Sequence, residues 1–568
     1  MKKSILIINA ILSIVMLVAC NNTSGNTTVD TTTNTGNDED DFVEEQTWNT
    51  TISIVFNGAS ATIGELPEGV TATNENGYVA FTSTIKHVQY EVSGSGTGQI
   101  SFYSDYKFAL QLSNLTLACS DGPAINNQCG KSLYLILSGS NILSDGSSYA
   151  SSTEDRKAAL FSEGQIIVSG DGSLSVTGNY KHAIASDDYI RIREGELTVI
   201  SKAADGLHSN DGIIINGGDI TITAASEGIQ CDTSSVVITG GSVDITSAGD
   251  KGILAYSGIE ISGGTVSVKS TDKGIKSKAG NIAISGGSID ITTTGDDGKG
   301  ILAKLGQITI SSGVINVNTA GSSAKGIKAQ GNINISGGTI TVVCSGGSSA
   351  AMMPAAGPGG WNGGGPGGGG NQPGGDQPGG GNQPGGMGNE SSGPEGIESK
   401  SALTISGGTI FAQSSDDGIN SASDMTITDG YVCAYSTGND GLDANGNCYI
   451  KGGIVYAISS GGAEVGIDAN SEGGKKLYIT GGSIVAIGGL EKGSSVSLKS
   501  TSSSWSSNTW YALYNNSSLV FAFKTPSSGA NSMTVCTASS PSLSSGVSVS
   551  GGTTIFNGMA NIGGTVNK

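Results

Sequence analysis

The sequence predicts an all-β protein built as a right-handed parallel β-helix, a solenoid with three short strands in each coil. Three observations predict it. Glycine makes up 92 of the 568 residues and only 13% of residues are charged, a composition typical of strands and turns when Ser, Thr, Ile and Val also abound. A unit of about 22 to 26 residues recurs, and apolar residues alternate with polar ones inside it.

A Gly-Ile or Gly-Leu pair marks each unit, and its early steps are 22, 24, 22, 26 and 26 residues. The glycines of the pair are Gly206, Gly228, Gly252, Gly274, Gly300, Gly326, Gly396, Gly418, Gly441 and Gly466. Within a unit, alternation over 281–285 and over 288–292 flanks a Gly-Gly turn. One unit cannot close a core, but stacked units can. A hairpin-built sandwich is the weaker alternative.

A second column supports this register. The second residue after each Ile or Leu of the pair is Ser, Cys or Ala in every coil. We expect these small side chains to point into a crowded interior.

The N-terminus resembles an export signal. Residues 1–19 form the predicted signal peptide: Lys2 and Lys3 precede an apolar run from Ile5 to Ala19, and Leu-Val-Ala-Cys, which ends at Cys20, resembles a bacterial lipobox. We therefore expect a lipidated Cys20, an extracytoplasmic protein anchored to a bacterial membrane, and display at the cell surface. An ordinary signal peptide that ends at a cysteine is the alternative.

The remaining domain boundaries follow composition. Residues 20–46 are polar and then acidic, which predicts a tether. Residues 47–345 hold an N-terminal cap and coils, 395–489 hold further coils, and 490–568 form a C-terminal β cap. Residues 346–394 are rich in Gly and Pro and predict a disordered loop between two coils. A flap over a binding face is the alternative for that loop.

Seven cysteines remain besides Cys20. They contain no CxxC pair, which argues against a cysteine-held zinc site. Cys119 with Cys129 and Cys433 with Cys448 are candidate disulfides, and buried thiols are the equally open alternative.

Outward residues of successive coils should lie side by side about 4.8 Å apart. The middle coils then carry a strip of lysines together with Tyr256, which could stack on a sugar ring. The lysines are Lys251, Lys273, Lys276, Lys278, Lys299, Lys304, Lys325 and Lys328. Like charges on neighbouring strands repel, so the strip favours an anionic partner. A solvated face, offset by aspartates in the adjoining turn, is the alternative.

The net charge of −20 argues against nucleic acid as that partner. The C-terminal coils instead stack carboxylates and amides, a donor set that suits Ca²⁺. The predicted ligands are Asp417, Asp440, Asp443, Asp468, Asn420 and Asn445. A looser predicted calcium cluster includes Asp187, Asp205 and Asp232. Capping of turns by Asp and Asn is the alternative for both groups.

An apolar outward column appears late in the repeat, at Phe411, Cys433, Tyr456 and Val485. Either it stacks on sugars or residues 490–568 pack over it, and packing is the favoured interpretation.

Three segments carry a family resemblance: 110–146, 161–199 with its GNYKH and SDD motifs, and 204–220 with ADGLHSNDG. They resemble the bacterial carbohydrate-binding β-helix family whose founding clostridial member binds cellulose and polygalacturonate. The resemblance implies a pectate-lyase-like β-helix, bound calcium and polysaccharide binding without established catalysis. Glu163-Gly164 stands where the family tends to have paired Asp, and Ala183 replaces a usual Gly.

Three functions stay open. The favoured one is a monomeric, surface-tethered, non-catalytic polysaccharide-binding protein for acidic glycans such as polygalacturonate, with cellulose as a further ligand. A polysaccharide lyase needs a base at the uronate C5 proton; arginine is nearly absent, so Lys276, Lys278 or Lys304 with a lowered pKa would serve. The three histidines look scattered and structural. An adhesin or structural spacer would bind no glycan.

Overall fold

The computed structural model describes residues 41–347, 393–461, 464–530 and 532–568. Asp38–Lys568 is one compact unit. The other, Met1–Asn37, lies outside the described residues, and so does its Cys20. Most of the loop predicted at 346–394 also lies outside them. In the described part the only helical element is a 3₁₀ turn at Val43–Glu45, and it holds no helix long and apolar enough to cross a bilayer.

The described residues form a parallel β-solenoid, as the repeat predicts. We call the face that carries the Gly-Ile or Gly-Leu pair the first face; it is a 15-stranded sheet whose neighbours run parallel after an initial hairpin. Its strands are Val70–Glu75, Tyr78–Ser83, Gln99–Ser104, Ile125–Asn127, Ala158–Ser162, His182–Ser186, Leu207–Ser209, Ile229–Cys231, Ile253–Ala255, Lys273–Ser277, Lys299–Ala303, Lys325–Ala329, Ile397–Ser399, Ile419–Ser421 and Leu442–Ala444. Ile467 continues it through a parallel bridge to Leu442.

Two further strands complete each middle coil. The second face holds Leu133–Ser138, Ile166–Ser169, Tyr189–Ile192, Gly212–Ile215, Ser235–Ile238, Gly258–Ile261, Asn281–Ile284, Ile308–Ile310 and Ile333–Ile335. The third face holds Ser140–Ser144, Ser173–Gly178, Glu196–Ser201, Asp219–Ala224, Ser242–Ala248, Thr265–Ser270, Ser288–Thr293, Val314–Thr319 and Thr339–Cys344. One long strand spans both faces in the later coils: Leu403–Ser414, Met425–Ser436, Cys448–Ser459 and Leu477–Ile487. Thr50–Gly58, Val88–Thr97 and Phe108–Ala118 are similar long strands near the start.

Glycines are required at two places in the coil, at the turn between two strands and at a tightly packed interior position. Gly287 has a φ of +82°, the left-handed conformation that the predicted Gly-Gly turn requires. A Cβ on Gly300 would lie 2.1 Å from Cγ1 of Val317, inside the coil. The predicted column of small side chains is buried, with Cys231, Ser277 and Ala303 fully covered. The spacing of the repeat therefore reflects close packing across the coil.

Residues 41–46, which composition assigns to the tether, are bound to the second face. Asp41 is buried and pairs with Arg191 at 2.8 Å, and Glu44 pairs with Arg193 at 3.0 Å. The Arg193 guanidinium also lies 4.0 Å from the ring centroid of Phe42. Residues 41–46 are therefore part of the fold and not of a tether.

The C-terminal segment packs over the third face of the last coils. Met533–Thr537 pairs antiparallel with Leu477–Ile487 and with Lys499–Ser503. The other strands are Ser60–Ile63, near the start, and Ser495–Val496, Trp510–Asn515, Ser518–Lys524, Pro541–Ser545, Ser548–Ser550, Thr553–Ile555, Ala560–Ile562 and Thr565–Asn567 in this segment.

The cap decides the role of the late apolar column. Phe411, Cys433, Tyr456 and Val485 are buried in one cluster with the cap, and the Tyr456 ring lies 5.1 Å from that of Phe523. Packing is thus confirmed, and the sugar-stacking interpretation of this column is wrong because no ring face is open.

All seven cysteines of the described residues are buried free thiols. The candidate disulfides Cys119–Cys129 and Cys433–Cys448 are not formed, so the thiol alternative is correct.

Candidate functional site

Two outward columns of the first face run the length of the solenoid. Backbone pairing places Leu254 opposite Lys276, Lys276 opposite Leu302, and Leu302 opposite Lys328. It also places Lys273 opposite Lys299 and Lys299 opposite Lys325. We call these two columns the charge ladder. The first column holds Asp205, Glu227, Lys251, Lys273, Lys299, Lys325, Glu395, Asp417 and Asp440. The second column holds His208, Gln230, Leu254, Lys276, Leu302, Lys328, Glu398, Asn420 and Asp443. The predicted stacking of these positions is confirmed.

Three lysines of the ladder are neutralised by turn carboxylates. Lys251 contacts Glu227 at 3.2 Å and also pairs with Asp250. Lys273 pairs with Asp272, and Lys299 with Asp297. Burial alone would lower the pKa of Lys251, but these ion pairs outweigh it and raise the pKa. Turn carboxylates, which the solvated-face alternative invoked, therefore balance part of the strip.

Two further lysines point into a buried network around Glu398, a side chain with no exposed area. Lys325 lies 3.4 Å and Lys328 3.1 Å from its Oε2, and Lys400 pairs with its other oxygen. Lys325 also contacts Glu395 at 3.0 Å. Burial would raise the pKa of Glu398, but Lys325 and Lys328 lower it to about 2. These lysines act within the fold.

The remaining lysines form an open patch with Tyr256. Among the residues that the structure describes, Lys276, Lys278 and Lys304 make no ion pair. Tyr256 is 47% exposed and Lys304, two coils further on, is also exposed, while Lys276 and Lys278 on the coil between them are half-buried. Burial, followed by repulsion from Lys251 and Lys273, lowers the pKa of Lys276. We call Tyr256, Lys276, Lys278 and Lys304 the open lysine patch.

The C-terminal end of the ladder gathers carboxylates. One ligand oxygen from each of Asp440, Asp443 and Asp468 lies within 4.8 Å of the others. Burial, with neighbouring carboxylates adding to it, raises the pKa of Asp440 to about 7, of Asp443 to about 6 and of Asp468 to about 8. We call these three residues the acid cluster. It favours either bound protons or a cation.

The other predicted ligands at this end hold different positions. The amide of Asn420 donates to Asp417 at 2.9 Å and to Asp443 at 2.7 Å. Burial raises the pKa of Asp417 well above its ordinary value. Asn445 is exposed. Asn420 thus connects Asp417 to the acid cluster as a hydrogen-bond donor.

The looser cluster predicted at Asp187, Asp205 and Asp232 is dispersed among other partners. Asp187 pairs with Lys157. Asp205 lies between His182 and His208, at 3.1 and 2.9 Å. Asp232 lies 3.5 Å from the other nitrogen of His208. The histidines, which looked scattered in the sequence, are therefore neighbours in the fold.

A cavity of about 530 Å³ lies by the N-terminal cap and was missed in the sequence. Trp48, Tyr106, Lys86, Lys107 and Lys131 help to line it, and Nζ of Lys86 lies 5.0 Å from the centroid of Tyr106. Its lining comes from five separate segments, so no single sequence motif predicts it. Aromatic rings beside lysines also suit an acidic sugar.

The model of the carbohydrate-binding domain-containing protein family matches residues 75–273 and 251–441. The chain belongs to this family. The matched region holds the open lysine patch, and the ligand class of the family is carbohydrate.

A solved structure of the polysaccharide lyase-like protein from C. thermocellum, a gadolinium derivative, is 21% identical to this chain. The alignment covers 42% of this chain and 94% of that one, with a TM-score of 0.31. This likeness is too low to bear on the site. No curated protein matches the chain.

Proposed function

We propose that this protein is a non-catalytic polysaccharide-binding protein that takes acidic glycans such as polygalacturonate on the first face. The observation that carries this proposal is the open lysine patch, because three ammonium groups without an ion pair lie on neighbouring coils of a strongly acidic chain. Uronate carboxylates would meet these ammonium groups, and the exposed ring of Tyr256 would stack on a sugar. Cellulose, which is neutral, would use the stacking contact alone.

Calcium is the second part of the proposal. Two oxygens on opposite sides of a Ca²⁺ ion bound at about 2.4 Å are about 4.8 Å apart, and the acid cluster keeps its oxygens within that distance. Asp440, Asp443 and Asp468 would hold the ion, with Asp417 joined to them through Asn420. The ion would offset the burial and the mutual repulsion that raise their pKa values.

The cellular setting is proposed from the sequence. The lipobox-like run that ends at Cys20 supports a lipid anchor, and residues 21–40 would link it to the point where Asp41 binds the second face. The solenoid would then be displayed outside the cytoplasm as a tethered monomer.

Binding is tested by affinity electrophoresis and calorimetry with polygalacturonate, cellulose and a neutral galactan, each with and without a calcium chelator. We expect polygalacturonate to bind best. The variant K276Q/K278Q/K304Q should lose this preference, whereas K202Q/K492Q/K499Q, which removes the same charge from exposed positions elsewhere, should keep it. If K86Q/K131Q in the N-terminal cavity abolishes binding and the patch variant does not, the assignment to the first face is wrong.

A polysaccharide lyase is the second candidate, and one observation favours it. Lys276 has a lowered pKa, no ion pair among the described residues and a half-buried position beside Tyr256, which are the properties of a general base for β-elimination. Incubation with polygalacturonate and Ca²⁺ decides the matter through the absorbance of unsaturated uronate. Turnover that K276Q abolishes would replace the binding function with catalysis.

A further inference from the structure

Two histidines and an aspartate meet at the N-terminal end of the charge ladder. His182 and His208 lie on adjacent first-face strands, and their rings stack with centroids 4.0 Å apart and planes inclined by 19°. Oδ2 of Asp205 lies 3.1 Å from Nδ1 of His182 and 2.9 Å from Nδ1 of His208. The exposed fractions of the three side chains are only 4%, 8% and 6%. Three potential ligands therefore converge at one buried point.

The surrounding hydrogen bonds show which ring nitrogens face the Asp205 carboxylate. The backbone N–H of Asp205 donates to Nδ1 of His182 at 3.3 Å, so this nitrogen is an acceptor. Nδ1 of His208 shares a hydrogen bond of 2.9 Å with Oδ2 of Asp205, and Nε2 lies 3.5 Å from Asp232, so the proton of a neutral ring points to one carboxylate or the other. The amide of Gln230 donates to Asp232 at 2.6 Å and fixes that carboxylate. Both Nδ1 atoms thus face one carboxylate oxygen, and a cation bound there would replace the proton between His208 and Asp205 and the long hydrogen bond to His182.

Two more observations favour a positive group at this point. Oδ1 of Asp205 already accepts the backbone N–H of Glu227 at 3.2 Å, which leaves Oδ2 for the histidines. Nε2 of His182 is buried and has no hydrogen-bond partner. Lone pairs and a carboxylate held this close repel each other unless a proton or a cation lies between them.

We propose that Nδ1 of His182, Nδ1 of His208 and Oδ2 of Asp205 bind a divalent transition-metal ion of the zinc type, with Asp232 orienting His208. Ligand atoms bound tetrahedrally at about 2.1 Å are about 3.4 Å apart, so the observed N–O separations need to open by only a few tenths of an ångström. Imidazole nitrogen suits Zn²⁺ and is foreign to Ca²⁺ sites. The ion would join the coil of His182 to that of Asp205 and His208.

Zn²⁺ titration of the full chain, stripped with a chelator and held in excess Ca²⁺, tests the proposal. We expect one Zn²⁺ to bind by calorimetry and elemental analysis, and D205N or H208Q to lose it. H87Q is the matched control, because His87 is the third of the three histidines and its Nδ1 contacts the carbonyl of Thr47 instead. D232N should weaken binding about 10- to 100-fold, since it removes only the orienting carboxylate.

The test does not depend on the variants folding, because Zn²⁺ binding can also be measured on the unsubstituted protein. Its ¹⁵N-labelled imidazole resonances should shift at two Nδ1 atoms on addition of Zn²⁺, and its thermal unfolding should move to higher temperature. If the imidazoles only titrate with pH and ignore Zn²⁺, or if H87Q loses the ion as well, the cluster is a proton-holding triad and the metal site is wrong.

Discussion

The middle and the C-terminal end of the charge ladder use the same strand position for opposite purposes. In the middle, each lysine of the Lys251–Lys273–Lys299 column has a carboxylate partner in a turn. At the C-terminal end, Asp440, Asp443 and Asp468 face one another, and within the described ranges no lysine or arginine pairs with them. One backbone geometry thus carries both a balanced and an unbalanced charge array.

This difference teaches that residue type along a column does not decide whether a charge is available. Availability depends on whether the adjoining turn or the next coil supplies a counter-ion. Only three of the eight lysines of the predicted strip remain open, whereas the carboxylates of the acid cluster have no lysine or arginine partner among the described residues, and burial makes their charged forms costly. The predictions below test this contrast, beginning with the largest effect.

The buried network around Glu398 should lose stability when this carboxylate is replaced by a neutral amide. E398Q removes the buried carboxylate that Lys325, Lys328 and Lys400 share, and we expect a loss of about 3 kcal/mol of unfolding free energy. Denaturant unfolding measures it, with E472Q at an exposed position as the control. If E398Q and E472Q lose the same unfolding free energy, the buried network stabilises the fold no more than an exposed carboxylate does.

The same network predicts a pH dependence with a definite sign. The folded-state pKa of Glu398 is lowered to about 2, so its stabilisation is complete above the ordinary pKa of glutamate and is lost as the pH falls towards 2. E398Q should therefore differ most from the unchanged protein above pH 5 and least near pH 2. Thermal unfolding across this range checks the convergence.

The unbalanced array should respond to calcium. At a free Ca²⁺ concentration about 100 times Kd, the ion would stabilise the fold by about 2.7 kcal/mol. D443N/D468N should abolish this gain, whereas D219N/D244N, which removes two carboxylates from the outward side of the third face, should retain it. Calorimetric unfolding with and without Ca²⁺ measures both, and a gain that survives in D443N/D468N would remove the acid cluster as the calcium site.

The open lysine patch should control affinity more than stability. Exposed ion pairs contribute up to about 1 kcal/mol each, so K276Q/K278Q/K304Q should weaken polygalacturonate binding about tenfold or more. Paired lysines should matter less: K273Q should change affinity by a smaller factor than K276Q. Calorimetry of the two single variants decides whether pairing, rather than position, governs binding.

Tyr256 should have the smallest effect. Replacing it by Ala removes a stacking contact of about 0.7 kcal/mol, which is about threefold in affinity. Because stacking does not depend on charge, Y256A should weaken cellulose and polygalacturonate alike. A selective loss of polygalacturonate would show that Tyr256 acts by positioning a lysine.

The register between strands could be predicted from the sequence, because side chains alternate every two residues along a strand and the coil repeats about every 22 to 26 residues. The pairing of Lys276 with Leu302 and of Asn420 with Asp443 follows directly. His182 could also have been found, since it precedes Ala183 at the glycine position of its coil and so belongs to the column of Asp205. The substitution of Ala for Gly concealed that membership.

Contacts between segments that are far apart in the chain could not be predicted from the sequence. The sequence predicts that Lys325 and Lys328 face outward, but their burial against Glu398 depends on where the chain re-enters the solenoid after a long insertion. The cavity beside Trp48 likewise depends on how residues 41–48 cross the second face.

The sequence alone determined the solenoid, its register and the order of charges along the first face, because periodicity is a local property of the chain. The tertiary structure decided which of those charges are neutralised, buried or open, and which apolar column the cap covers. Those outcomes depend on distances between segments that are far apart in the chain, and charge interactions change strongly with distance and burial.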